Sequence, residues 1–177
     1  MFPIVTFEPV SLETANALLT QWSHKMGPCV RGNARGLCHA LFHEGNPVAV
    51  TITATLIREC VGGGNGHLTR ENTIELARLC AARPGLCRVV LRLWREFVLP
   101  TLPYEYAISY QDADIHNGNT YRFDGWERIG DIARSVTDSR SGRKGRNKWV
   151  WQFPPAKNKV AVGILNDHSA RTLTEVV

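Results

Sequence analysis

The chain has 177 residues, with 21 Lys and Arg against 16 Asp and Glu, a formal charge of +5, and 44% hydrophobic residues. That length buries one good core, and the balanced composition excludes a collagen-like, mucin-like or wholly disordered chain. No run of 18 apolar residues occurs, which argues against a membrane, and the opening Met1-Phe2-Pro3-Ile4-Val5-Thr6-Phe7-Glu8 lacks the basic start and apolar stretch of a secretory signal, so a cytoplasmic location is expected.

Ser11 followed by Leu12, Ala15, Leu18, Leu19 and Trp22 at helical spacing predicts a capped helix that Gly27-Pro28 ends. A strand is expected over 37–42, a turn at Glu44-Gly45-Asn46-Pro47 and a second strand over 48–57, together a β-hairpin. Gly62-Gly63-Gly64-Asn65-Gly66 is a flexible loop that matches neither the dinucleotide nor the phosphate-loop pattern. Residues 74–80 alternate and then turn apolar, as a central strand does. Arg83-Pro84-Gly85 follows, and Leu86, Val89, Val90, Leu93, Trp94 and Phe97 mark an amphipathic helix closed by Pro100. A strand over 104–110, a polar turn over 111–118, a short helix over 119–123 and a strand over 126–130 come next. A basic, Gly/Ser-rich loop over 139–148 leads into a last strand, 148–153, stopped by Pro154-Pro155. The tail to Val177 is weakly patterned, and there is no internal repeat.

The order helix, three strands, helix, strand, helix, two strands predicts an α/β (α+β) fold with a mixed, partly parallel sheet, in one domain over 1–153 with a tail over 154–177. Ligands in such sheets lie at the carboxyl ends of neighbouring strands. The junction over 80–86 can aim backbone N–H groups at an anion, with Arg83 and Arg88 flanking it. The charge is uneven: residues 128–159 hold nine basic and two acidic side chains, and the rest hold 12 and 14. A near-neutral body thus bears one basic arm, which points to nucleic acid, a solvated loop being the alternative. Arg140, Arg143, Lys144, Arg146 and Lys148 are the candidate phosphate contacts. The cysteines (29, 38, 60, 80 and 87) are odd in number and form no C-x-x-C pair, which reads as buried thiols rather than disulfides or a zinc site. The histidines have no metal-ligand spacing.

A strand, an Arg/Gly turn, a long helix, another strand and then Tyr121-x-x-x-Gly125-Trp126-x-x-x-Gly130 resemble the GNAT N-acetyltransferase architecture. Ser109-Tyr110-x-Asp112, followed by His116-x-Gly118-x-x-Tyr121, is similar to the signature of the Mom DNA-modification proteins of Mu-like phages. Glu75-Leu76-Ala77-Arg78-Leu79 matches that family's Glu-Leu-x-Arg-Leu strand, and Trp22-Ser23-His24-Lys25 falls where it carries His-Tyr-Ser, with Lys25 in place of Tyr. The likeness spans about 72–130. In the GNAT pyrophosphate pattern Gly85 supplies one glycine, whereas Ala82 stands where Arg or Gln belongs and Cys87 where the last small residue belongs. Either the donor is not coenzyme A or it binds with fewer backbone contacts.

The resemblance implies a GNAT-like sheet flanked by helices and an enzyme of the bacterial host cell that places a carbamoylmethyl group on adenine N6, protecting phage DNA from restriction. That product is an isomer of N6-glycyl-adenine, so an activated glycyl or acyl donor (aminoacyl-tRNA or acyl-CoA) could serve, with metal-assisted chemistry, iron on His24, Asp112 and His116, as the competing proposal. The partners expected are double-stranded DNA, tRNA as a donor, no membrane, and a second copy in a homodimer. A stacked N6 is out of reach, so the base is expected flipped out, on Tyr110, Tyr121 or Trp126. Asp112 or His116 would act as base, Arg78 would orient the donor, and Ser109 would donate to an oxyanion. Arg83, Gly85 and Arg88 would hold the donor. The structural alternatives are an Arg78 pair with Glu75 or Asp112, a helix cap at Asp112, an exposed turn at His116, a backbone bond at Ser109, and core packing of Tyr121, Trp126, Trp149 and Trp151. Two other functions compete: a GNAT acyltransferase acting on a small molecule or protein, and a non-catalytic nucleic-acid-binding module.

Overall fold

The computed structural model describes residues 4–34, 37–61, 66–132 and 146–155. Seven strands form one mixed sheet in the order β1-β2-β3-β4-β5-β7-β6. The strands are β1 Val5–Val10, β2 Cys38–His43, β3 Asn46–Thr55, β4 Thr73–Ala81, β5 Tyr106–Asp112, β6 Glu127–Ile132 and β7 Lys148–Phe153. All neighbours pair antiparallel except β4 and β5, which run parallel. A parallel pair needs a crossover, and the helix after β4 supplies it. The α+β reading of the sequence is the architecture found.

The helices are α1 Leu12–Gln21, α2 Leu86–Leu93 and α3 Asn119–Arg122. Ser11 caps α1, its Oγ accepting from the Thr14 N–H at 3.0 Å. The helix ends at Gln21, short of the expected Gly27, because Ser23 adopts a left-handed φ of 52° and the His24 N–H reaches back to the Leu19 carbonyl at 2.9 Å. α2 also stops sooner than its periodicity suggested: Trp94–Val98 forms a wider π turn and Leu99–Thr101 a 3-10 turn. The wide turn still leaves Trp94 fully buried, its indole N–H donating to Thr53 Oγ1 at 2.8 Å.

α1 covers one face of the sheet, packing Ala15, Leu18 and Leu19 on Cys38, Ala40, Val50, Ile52 and Cys80. α2 and its extension cover the other face, where Leu91, Trp94 and Val98 meet Ile74, Leu76, Ala107, Tyr121, Trp126 and Trp151. Burying such side chains stabilises by roughly 1.5–3 kcal/mol each, an upper range because the unfolded chain is already part-collapsed. β1 was not expected from the sequence. It is an edge strand with no fully buried residue and a proline at its fifth position, so it carries little periodic signal. Among the described residues no helix is long and apolar enough to cross a membrane.

Candidate active site

β4 and β5 pair over only three positions, Thr73 with Tyr106, Ile74 with Ala107 and Glu75 with Ile108. Beyond them each strand follows its other neighbour. β4 stays with β3 as far as Ala81 opposite Ala49, and β5 stays with β7 as far as Asp112 opposite Lys148. A bulge marks the fork: Thr53 faces Leu76 and Ile52 faces Arg78, so Ala77 is the extra residue. Bulges bend and twist a strand, and this one turns β4 away from β5. The Ser109 hydroxyl caps the last paired position by donating to the Leu76 carbonyl at 2.9 Å.

A cavity of about 150 Å³ opens in the fork. That matches a void known to hold one benzene ring, so its closed part suits an acyl end or one reacting ring atom, the rest of a ligand lying in the open cleft. Five residues given chemical roles from the sequence line it together: Arg78, Ser109, Asp112, His116 and Tyr121. Tyr110, from the stacking set, lines it as well. Trp126 does not. It is 4% exposed, packs on Trp94, Tyr121 and Phe153, and donates its indole N–H to Asp124 at 3.1 Å. Trp151, also buried, stacks on Tyr121 at 5.5 Å between centroids.

Ser109 has one hydroxyl hydrogen, and Leu76 takes it. The Tyr121 hydroxyl, 2.8 Å from Ser109 Oγ, must therefore donate to the serine. Burial pushes the Tyr121 phenol up to about 12, so it keeps its proton throughout the physiological range. The same cause raises the Cys87 thiol, also in the lining, to about 11, which makes it a poor nucleophile.

The polar side chains do not follow the pairings considered from sequence. Glu75 pairs with Arg31 at 2.7 Å. Asp112 binds Arg146 at 3.1 Å through Oδ2 and accepts the Asp114 N–H at 3.0 Å through Oδ1, making a local turn rather than a helix cap. Arg78 instead donates to the backbone carbonyls of Gly27 at 3.2 Å and Ala77 at 2.8 Å, which fixes its guanidinium beside the fork. Arg146 also reaches the Lys25 carbonyl at 3.4 Å and so bridges the ends of β5 and the α1 segment. With Lys25, Arg78 and Arg146 against Asp112 in the lining, the cavity favours an anionic or strongly polarised ligand.

His24 lines the cavity with its ring held neutral: burial first, then Arg78, His116 and Arg146, lowers it from 6.5 to about 4. Its Nδ1 is buried without a partner. His24, Asp112 and His116 share the cavity, yet among the described residues no three His, Cys, Asp or Glu side chains come together as a metal-ligand set. The donor trio lies to one side. Gly85 takes a left-handed φ of 87° just before α2, with no side chain capping the helix, and Arg83 is exposed beside it. Arg88 lies 5.4 Å over the Phe123 ring. Of the phosphate set, Arg146 is in the cavity wall and Lys148 is in β7, while Arg140, Arg143 and Lys144 fall outside the described residues.

Among the lining residues that carried no chemical role in the sequence are Cys87 and Gln111. Cys87 figured as a buried thiol and as a departure from the pyrophosphate pattern. Gln111 was only the variable position of the Ser-Tyr-x-Asp signature; its alternation with Ser109, which puts both on one face of β5, was the available signal.

No family model matches the chain, and no curated protein matches it. Solved structures do. An N-acetyltransferase from Staphylococcus aureus is similar with a TM-score of 0.61 at 8% identity, over 85% of this chain and 97% of that one. A GNAT-family acetyltransferase from Streptococcus pneumoniae is similar with a TM-score of 0.57 at 10% identity, over 84% and 98%. A Bacillus subtilis acetyltransferase in complex with CoA gives 0.55 at 10% identity, over 85% and 97%. The fold is that of the GNAT acetyltransferases. At such identity the likeness to GNAT proteins concerns the fold, and the chemistry rests on the residues above.

Proposed function

We propose that this chain is an acyltransferase that moves an acyl group from a thioester of the coenzyme A type to a nitrogen nucleophile held in the fork between β4 and β5. The observation that carries this reading is the Tyr121–Ser109–Leu76 hydrogen-bond chain at the fork, in a cavity lined by cations. The nitrogen lone pair attacks the acyl carbon, the C–N bond forms, the C–S bond breaks, and the nitrogen proton must leave. Neutral His24 and the Asp112 carboxylate both line the cavity and are the groups to take that proton. Tyr121 keeps its proton and donates it in a hydrogen bond to Ser109, holding the serine oxygen in place beside the reacting centre rather than acting as an acid, since a phenol near 12 is a weaker acid than a thiol at about 8.5. The uncapped first turn of α2, with Arg83 exposed beside it, suits the phosphates of such a donor, so the residues present fit the group. Titration with acetyl-CoA and assay of thiol release against a panel of amines tests the reading. Neither binding nor release with any amine sinks it.

A second reading is favoured by one observation: Arg78, Ser109, Tyr110, Asp112, His116 and Tyr121, all quoted for the Mom resemblance, converge on one cavity, with Arg146 beside them. Here the nucleophile is the N6 amine of a flipped adenine in double-stranded DNA, and the acyl group is glycyl, from aminoacyl-tRNA or a thioester. After acylation the glycyl amine attacks C6 and the C6–N6 bond breaks, leaving a carbamoylmethyl group without loss of atoms. Expression in bacteria followed by nucleoside mass spectrometry should show deoxyadenosine heavier by one glycine residue and labelled by glycine carbon. Unmodified DNA with abundant folded protein excludes this substrate.

A further inference from the structure

Gln111 is 6% exposed and lines the cavity. Its side-chain oxygen accepts the Trp151 indole N–H at 2.7 Å. Indole nitrogen only donates, so the carboxamide has one permitted orientation, with Oε1 toward Trp151 and the NH2 group on the other side. Trp151 cannot swing to release it. Its ring stacks on Tyr121 with a 15° interplanar angle, and it fills the place where Gly118 would carry a Cβ, 2.6 Å from Trp151 Cζ2. The Gln111 Nε2 so fixed is buried and has no hydrogen-bond partner. Native folds leave few buried donors unsatisfied, and each exception calls for a reason. This one belongs to a lining residue two positions from Ser109, on the same face of β5.

We infer that Gln111 is a specificity-determining residue of the cleft: its amide N–H donates to a lone-pair acceptor on the bound ligand, and ligands lacking that acceptor leave it unsatisfied. The inference rests on the acyl-transfer reading and names the chemistry it selects. The acceptor is a carbonyl oxygen of the acyl group or a ring nitrogen of the substrate amine, and the two sources are separated by test. Building the donor into the fold gives discrimination against an otherwise isosteric ligand, because a buried unpaired group costs more than a made bond returns.

The full-length protein is titrated with acetyl-CoA and with S-ethyl-CoA, which lacks only the acyl oxygen, and separately with a short deoxyadenosine oligonucleotide. Nitrogen-15 NMR follows the Gln111 side-chain amide pair, assigned by its loss in Gln111→Met and Gln111→Glu. If the acyl oxygen is read, one amide proton shifts downfield with acetyl-CoA but not with S-ethyl-CoA. Wild type then favours acetyl-CoA about fivefold to tenfold, and Gln111→Met loses the preference. If the base is read, the shift comes with the oligonucleotide and Gln111→Met weakens that ligand alone. Gln111→Glu keeps an acceptor for Trp151 and serves where Gln111→Met does not fold. An amide pair that no probe moves, or an unchanged preference in both variants, overturns the inference. Acetyl-CoA that binds and is turned over while the amide stays put overturns it and leaves the acyl-transfer reading standing.

Discussion

Replacing Tyr121 with Phe and Ser109 with Ala separates what the hydroxyl chain does for the fold from what it does for chemistry. In Tyr121→Phe the ring still stacks on Trp151 and meets Trp126 edge-on at 5.4 Å, and Ser109 still donates to Leu76. One net hydrogen bond is lost, about 1 kcal/mol, which for a domain of this length lowers Tm by about 2–4 °C. Ser109→Ala removes the middle of the chain, leaving the Leu76 carbonyl and the Tyr121 hydroxyl unpaired at a site where both residues are buried. Two unsatisfied groups cost about 2–5 kcal/mol, so the serine variant is the less stable one even though each variant deletes a single oxygen. Urea melts of both variants measure this order. For activity the order differs: Tyr121→Phe removes the bond that positions the Ser109 oxygen at the reacting centre, and kcat should fall about 100-fold at nearly full stability. Thiol release from the acyl donor reads it. A Tyr121→Phe enzyme within threefold of wild type, or one less stable than Ser109→Ala, refutes the assigned bond directions and roles.

Gly118→Ala places a Cβ against Trp151 at a φ of 79°, so denaturant melts should show a loss of about 2–4 kcal/mol, and weaker binding in the neighbouring cavity should accompany it. Asp124→Asn breaks a nearly buried carboxylate away from Arg95 at 2.9 Å, Arg92 at 3.7 Å and the Trp126 indole, with an expected cost of about 3–5 kcal/mol in the same assay. His24 sits near 4 in the fold and 6.5 when unfolded, so the unfolded chain takes up a proton first as the pH falls. Stability is therefore full above 6.5 and declines toward 4, and His24→Gln should flatten that slope in melts across the window. Charge reversal of Arg143 and Lys144 should weaken DNA binding and reduce its salt dependence. Unchanged binding removes the basic loop from the interface.

The strands and helices from β2 to β7 were legible because each carries a short-range signal: alternation in β4, a wide apolar stripe in α2, a turn between β2 and β3. β1 was not, because an edge strand with no fully buried residue has no apolar period to show. The chemical residues were legible as types clustered along and just after β5, with Arg78 in β4, and the fold brings Arg78, Ser109, Asp112, His116 and Tyr121 to one cavity. Their partners were not. Arg31 rather than Arg78 takes Glu75, and Arg146 from the basic arm takes Asp112, since ion pairs across 44 and 34 residues are decided by packing and not by spacing. Sequence likewise could not tell Trp126 from Tyr110, one closed into the core and one facing the cleft.

By itself the sequence determined the order of elements from α1 onward, the parallel crossover and the basic arm, because backbone periodicity, turn chemistry and charge are local properties. Only the tertiary structure decided where the sheet opens. The fork depends on an extra residue in β4 and on a serine of β5 bonding a carbonyl of β4 33 residues away. Neither has a local signature, since both are set by which strands stand side by side.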